Sequence, residues 1–404
     1  MKIKVYKNIE LTEYENLNEE IDWSRKSNKD FSKLHSISSY LAMFCPALPK
    51  FFIEKYTKEN DLVMDNFYGR GTTPLVCREL NRKFIGSDLN PYAYVLSKFK
   101  TSNKLKLIKI LKRIKTLEKE YLSEKNIWLQ KINNEIFNDL RYFYHDNVLA
   151  QLIFLRDKLG RNWNNLNEVD NAIVAIALGL MHGKLKKDNT TIYFSIDMPN
   201  TISMSPNYVK KYAKLKKLIK PNVNIFENIE KRLNFKFDKN VFDKKFDSKI
   251  LLFDATKDNK NIKDNSVSLV VTSPPYLSIV DYRLSNWLKL WLLGFEKNKL
   301  NQEIKLSDKL NINQYIDFIK SYLNSIYKKL KNKAKVCLVV GDVHETKLIE
   351  EVWKKIEPEV KFKFVEIYYD EKYLQTKKIT NMLNSKKGKA TIIEKVLVLE
   401  KYEN

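Results

Sequence analysis

No apolar run in this 404-residue chain is long enough to cross a bilayer: the longest, residues 172–181, falls well short of the roughly 20 residues a span needs. The start, MKIKVYKNIEL, has no apolar stretch ahead of a small-residue cleavage site. These absences predict a soluble, cytoplasmic protein with no membrane partner. Cysteine is scarce, and Cys45, Cys77 and Cys337 are odd in number and far apart, which excludes a disulfide framework and a zinc knuckle; reduced thiols are expected. The four histidines, His35, His145, His182 and His344, lack metal-ligand spacing and no HExxH occurs, so no metal is expected. Internal repeats and Gly/Ser- or Pro-rich linkers are also missing, so composition marks no clean domain boundary.

What is present is a core and a charge. At 44% hydrophobic and 12% aromatic, the chain buries enough apolar surface for one large domain or two ordinary ones, which excludes global disorder. Lys and Arg number 73 against 49 Asp and Glu, a net +24. Such a surplus suits nucleic acid, an acidic membrane surface or an acidic protein partner, and composition cannot choose among them. Its distribution is informative: residues 104–249 hold 29 basic and 16 acidic residues, a surplus of 13 in little over a third of the length.

Hydrophobic patterning divides the chain into three parts. Residues 62–88 read as a short apolar strand, a glycine turn, an amphipathic helix and a second strand ending at Asp88, one βαβ unit. VSLVV at 267–271 is a further strand, and segments 334–342, 361–369 and 394–402 predict three more, with a helix in TKLIEEVWKKI between the first two. Between them, residues 104–129 predict one extended amphipathic helix and 169–181 a buried helix, followed by a Ser-, Thr- and Pro-rich stretch that becomes Lys-dense. The class is α/β with an inserted, mainly helical, basic region.

Two motifs carry chemistry. In DNFYGRGTT, residues 65–73, glycines at a strand-to-helix turn let the backbone approach a ligand, and the helix start offers free N–H groups. There is no GxxxxGK[ST], so no triphosphate cradle is present, whereas Asp88 stands where a carboxylate can bind the two hydroxyls of a ribose. A nucleoside cofactor without a triphosphate fits best. The second motif is TSPPY, residues 272–276. Two prolines end the strand in a rigid turn, because neither has an N–H to continue a ladder, and they hold the Ser273 hydroxyl and nearby carbonyls at the strand's carboxyl end. With the flat face of Tyr276, this suits a planar base presenting an exocyclic amine.

FYGRGTT followed by SDLNP, with TSPPY downstream, resembles the amino-group DNA methyltransferases that use S-adenosylmethionine. The segment at 34–57 is similar to that family's methionine-binding region, KILLFDAT through the TSPPY loop to its run across the catalytic loop, and KVLVLEK to its final strand. The resemblance implies a Rossmann-like class I fold: a doubly wound, mostly parallel sheet with an antiparallel C-terminal strand. It implies a discontinuous catalytic domain over 31–103 and 250–404, a basic target-recognition insert over 104–249, and an N-terminal extension over 1–30. It further implies that Tyr40, Asp65, Phe67, Gly69, Gly71, Thr72, Asp88, Asn90 and Asp254 bind the cofactor, and that Ser273, Pro274, Pro275 and Tyr276 hold the target base. Lys210, Lys211, Lys214, Lys216, Lys217 and Arg283 are the candidate DNA contacts. Tyr68 and Arg70 depart from the small or apolar residues usual in this turn, and Asn66 stands where proline is common.

The implied reaction is methyl transfer to the N4 amine of cytosine in double-stranded DNA after base flipping, in a restriction-modification setting with a cognate restriction endonuclease as candidate partner. Serine at the first tetrapeptide position is associated in the family mainly with cytosine; adenine N6 is the alternative, with an RNA methyltransferase or an inactive DNA-binding homologue behind it. Cytosine carbon 5 needs a cysteine nucleophile, which in such enzymes follows a proline, and no Pro-Cys dipeptide occurs here.

Overall fold

The computed structural model of the chain describes residues 3–17, 23, 30–41, 43, 45–103, 105–188, 190–275, 281–306, 310–343, 347–370 and 391–403. Nine strands form one sheet: β1 (Ile3–Tyr6), β2 (Tyr14–Leu17), β3 (Leu62–Asp65), β4 (Lys83–Asp88), β5 (Ser248–Leu252), β6 (Val267–Thr272), β7 (Leu330–Val343), β8 (Phe362–Asp370) and β9 (Thr391–Lys401). Their spatial order is β2-β1-β8-β9-β7-β6-β3-β4-β5. From β5 to β7 every pairing is parallel, and β9 runs antiparallel between β7 and β8. The doubly wound sheet with an antiparallel last strand is the expected one.

The pleat explains the two layers that cover it. Val63, Leu269, Val271, Cys337 and Val339 face one apolar cluster, while their neighbours Met64, Val270, Val336 and Leu338 face the other. The first face is covered by α1 (Ala47–Tyr56), α2 (Thr72–Glu79) and α3 (Pro91–Thr101). The inserted region adds α4 (Leu107–Ser123), α5 (Lys125–Lys131), α6 (Asp146–Lys158), α7 (Glu168–Leu180), α8 (Pro206–Lys216), α9 (Ile225–Lys236) and α10 (Lys239–Asp243). After β6 come α11 (Tyr282–Ser285), α12 (Trp287–Leu292) and α13 (Leu300–Glu303). The opposite face is covered by α14 (Ile312–Tyr327) and α15 (Leu348–Ile356).

Two features differ from the expected pattern. Residues 1–30, read as an extension outside the catalytic domain, contribute β1 and β2 to the sheet: β1 pairs antiparallel with β8, Val5 opposite Tyr368, and Ile3 and Val5 are buried. The single helix over 104–129 is two, broken at Glu124, whose carboxylate accepts a hydrogen bond from Trp128 Nε1 at 3.1 Å. The insert packs into the same core as the sheet. Every residue of α7 from Asn171 to Leu180 is buried, and α7 packs on α3, where Asn171 Nδ2 donates to the Val95 carbonyl at 3.2 Å. One apolar cluster runs from the sheet through α3 and α7 into α4, α6 and α9.

Candidate active site

The chain runs from β3 to β4 and β5 on one side and returns to β6 and β7 on the other, so the strand order reverses between β3 and β6. The carboxyl ends of these two strands diverge there into a crevice, which is where open α/β sheets place ligands. β3 ends in Asp65 and β6 in Thr272, the residues that introduce the two motifs.

Asp65 ties them together. It is fully buried; Oδ1 accepts from the Thr272 hydroxyl at 2.5 Å and from the Phe67 N–H at 3.0 Å, while Oδ2 accepts from the Thr73 hydroxyl at 2.6 Å. One carboxylate thus joins β3, the start of α2 and the end of β6. Burial raises its pKa to about 6 against the lowering effect of those donors. Asp65 does not line the crevice, so the expected cofactor contact is corrected to a buried buckle.

Between Asp65 and α2 the backbone turns through Gly69 and Gly71, with φ of +50° and +76°. A Cβ on Gly71 would lie 2.6 Å from Ser97 Oγ, so this glycine serves close packing of α2 on α3 and is not among the lining residues. The turn is pinned from outside. Gly69 N–H donates to Asp88 Oδ2 at 2.9 Å, Asn90 N–H donates to Asp88 Oδ1 at 2.8 Å, and Lys100 Nζ donates to the Arg70 carbonyl at 2.7 Å. The Tyr68 hydroxyl reaches across β4 to donate to the Leu251 carbonyl of β5 at 2.9 Å, which accounts for the large residue there. Burial also raises Asp88 to about 6, opposed by the amide donors.

The crevice is open to solvent, with about 880 Å³ of empty space in and in front of it. Of the residues expected to act there, Tyr40, Phe67, Gly69, Thr72, Asp88, Asn90, Asp254, Ser273 and Pro275 line it; Pro274 does not, and Tyr276 lies outside the described residues. Tyr40 stacks between Tyr92 and Tyr282, with ring centroids 5.3 and 6.2 Å away, and its hydroxyl accepts from Asn90 Nδ2 at 3.0 Å. Phe67 packs against Phe318 and Tyr322 of α14. Asp254 accepts from the N–H and hydroxyl of Thr256, at 2.9 and 2.8 Å. Further lining residues stand outside the expected set of ligands: Asn66, Arg70, Phe253, Tyr282 and Phe318. Arg70, noted in the sequence only as a departure, donates from Nε to Thr72 Oγ1 at 3.2 Å.

The candidate DNA contacts divide. Lys210, Lys211, Lys214 and Lys216 of α8, with Lys217 at its end, are all exposed, as phosphate contacts require. Arg283 is buried, and its Nη1 donates to the Ile304 carbonyl at 3.2 Å; the side chain holds the stretch after the tetrapeptide and does not face solvent, a correction to the expected surface role. Among the described residues no group of three or more His, Cys, Asp or Glu could hold a metal, and no helix is long and apolar enough to cross a membrane. His344 lies outside the described residues.

The family model for N6/N4 DNA methylases matches residues 3–99, a span that includes β1 and β2. The chain is similar to the type II methyltransferase M.MjaII of Methanocaldococcus jannaschii, 22% identical over 422 residues that cover 84% of this chain and 78% of that protein. It is 25% identical to the type II methyltransferase M.MvaI of Kocuria varians over 315 residues, 72% of this chain and 65% of that protein. A shorter match, 40% over 68 residues, links it to the type II methyltransferase M.PvuII of Proteus hauseri, covering 17% of this chain and 20% of that one.

Proposed function

We propose that this chain, which belongs to the amino-group DNA methyltransferase family, methylates the N4 amine of cytosine at a specific site in duplex DNA. The observation that carries the reading is that Ser273 and Pro275, at the end of β6, line the same crevice as Gly69 and Asp88 at the ends of β3 and β4. The group that would present a base and the groups that would hold a nucleoside cofactor therefore meet in one space.

The residues present fit S-adenosylmethionine, the family's methyl donor. Phe67, Phe253 and Phe318 offer flat apolar walls to a purine. The Asp88 oxygens each take one backbone N–H and keep capacity to accept from a ribose diol. Bound there, S-adenosylmethionine supplies an electrophilic methyl that an amine nitrogen takes directly, without a covalent enzyme intermediate.

The chain's task is then presentation. The Ser273 hydroxyl would accept an amine hydrogen and turn the nitrogen lone pair toward the crevice, and alignment supplies most of the acceleration. A base inside a duplex cannot reach a recessed serine, so the target nucleotide rotates out of the stack, with Tyr276 as its stacking partner. The exposed lysines of α8 would hold phosphates in register meanwhile. Carbon-5 methylation has no nucleophile here: all three thiols are buried, none lines the crevice, and burial raises those of Cys77 and Cys337 well above the ordinary range. Serine as the first tetrapeptide residue supports cytosine over adenine, and the type II relatives support a restriction-modification role with a cognate endonuclease.

The test is modified-base sequencing of DNA from a methylation-free host expressing the chain, beside a Ser273→Ala control. N4-methylcytosine in one short motif, lost in the control, is the expected result. N6-methyladenine would overturn the choice of base, and unmodified DNA would overturn the reaction.

A further inference from the structure

Lys289 of α12 is 1% exposed, and among the described residues no carboxylate pairs with it. A buried ammonium without a counterion is expensive and needs its three hydrogens satisfied. Here each hydrogen goes to a different part of the chain. Nζ lies 3.2 Å from the Ser39 carbonyl, 3.3 Å from the Asn200 carbonyl and 3.4 Å from Asn286 Oδ1, and 4.8 Å from the centre of the Tyr92 ring. Ser39 precedes Tyr40, a wall of the crevice, and its carbonyl also accepts from the Tyr92 hydroxyl at 2.8 Å. Asn200 belongs to the insert, and Asn286 caps the helix that carries Lys289, shortly after the base-presenting loop.

The strap around Asn200 is clamped along its length. His182, at the end of α7, contacts the Pro199 carbonyl through Nδ1 at 2.7 Å and Ser203 Oγ through Nε2 at 3.1 Å. Ser203 N–H donates to the Ser285 carbonyl at 2.7 Å, and Trp287 Nε1 to the Met204 carbonyl at 2.9 Å. The next residue, Ser205, caps α8 with its side chain, so the lysine-bearing helix begins where the clamp ends.

We propose that Lys289 is a positioning residue that locks the Tyr40 wall of the cofactor crevice to the Asn200 strap of the insert, so that binding of DNA on the insert and of S-adenosylmethionine in the crevice are energetically coupled. The inference rests on the function proposed above. Coupling follows because one ammonium serves both segments: ordering either one fixes the position of the donor that the other needs. Burial lowers the Lys289 pKa to about 7. The neutral amine has two hydrogens for three acceptors, so coupling weakens as pH rises through that value. The titratable groups facing the ammonium keep their charge over this range: burial holds His182 near 3 and raises the Tyr40 and Tyr92 hydroxyls.

The test measures the affinity of S-adenosylhomocysteine, an unreactive probe, by calorimetry with and without a duplex carrying the methylated motif. DNA should tighten binding at least about fivefold in the unaltered chain at pH 6.5 and less than twofold in Lys289→Met. Asn286→Asp places a carboxylate beside the ammonium, so its coupling should persist to higher pH than in the unaltered chain. Hydrogen exchange provides a readout without any ligand: in Lys289→Met, amides near residues 39–40 and 200–203 should lose protection together while the melting transition stays cooperative. Equal coupling in Lys289→Met, or loosening of one segment alone, overturns the proposal. Absence of probe binding in the unaltered chain would overturn the cofactor assignment instead, and the exchange result would still decide whether Lys289 joins the two segments.

Discussion

Replacing Asp65 with Asn separates a buckle from a cofactor ligand. The carboxylate accepts three hydrogen bonds, from Thr272, Thr73 and Phe67 N–H, and it is fully buried. Asn offers one acceptor oxygen, so at least one hydroxyl must reorient or lose its partner, a change of about 1–3 kcal/mol. The opposing effect is the charge. With a pKa near 6 in the fold and an ordinary value of 3.8, keeping Asp65 ionised at neutral pH costs about 3 kcal/mol, roughly half of it incurred between pH 5 and 7.5. The sign is set by the raised folded pKa: the folded chain holds the proton longer, so this contribution favours folding at low pH and is lost as pH rises through 6. Asp65→Asn lacks that dependence. Urea unfolding should therefore find the variant less stable than the unaltered chain at pH 5, with the gap narrowing by roughly 1 kcal/mol at pH 7.5. Asp88 senses the Asp65 charge, so the same difference is also taken in an Asp88→Asn background, where its titration is removed. Cofactor affinity should change less than about threefold once the chain is folded. A tenfold weakening with no pH-dependent stability gap would refute the buckle and restore Asp65 as a ligand.

Asp88 should behave in the opposite way. Asp88→Asn should weaken S-adenosylmethionine at least about tenfold by calorimetry, because a charged acceptor of the ribose hydroxyls is lost. In the unaltered chain the affinity should fall as pH drops through about 6, where the carboxylate takes up its proton; a flat profile would remove Asp88 from the cofactor site. For the insert, replacing Lys214, Lys216 and Lys217 with Gln should weaken duplex binding and lower the slope of log affinity against log salt by up to about 3, which a filter-binding series measures. An unchanged slope would leave these lysines as a solvated face.

The same residues show where a linear reading reaches its limit. The glycine turn after β3, Asp88 at the end of β4, the buried helix α7 and the Pro-Pro stop after β6 were all legible, because each depends on a local property: a left-handed φ, an apolar period, a missing N–H. Asp65 was misassigned because its role is set by Thr272, 207 positions away, and no local pattern announces that pairing. Arg283 looked like a surface cation until the Ile304 carbonyl supplied a buried acceptor. β1 and β2 are four-residue strands that pair with each other, and only β1's pairing with β8, more than 360 positions later, joins them to the sheet.

The insert is the case with the largest consequence. Its excess charge drew attention to the surface, yet what fixes its placement is the uncharged α7, packed on α3 in the same core as the sheet. A region sharing that core cannot rock freely over the crevice, since moving it would open a close-packed interior. Rearrangement of the insert is therefore confined to segments between packed helices, and the strap at 199–204 is one such segment, held by hydrogen bonds to His182, Ser285, Trp287 and Lys289. Hydrogen bonds can be exchanged at little net cost where packed side chains cannot, so the strap contacts are the ones that the proposed coupling between duplex and crevice would use.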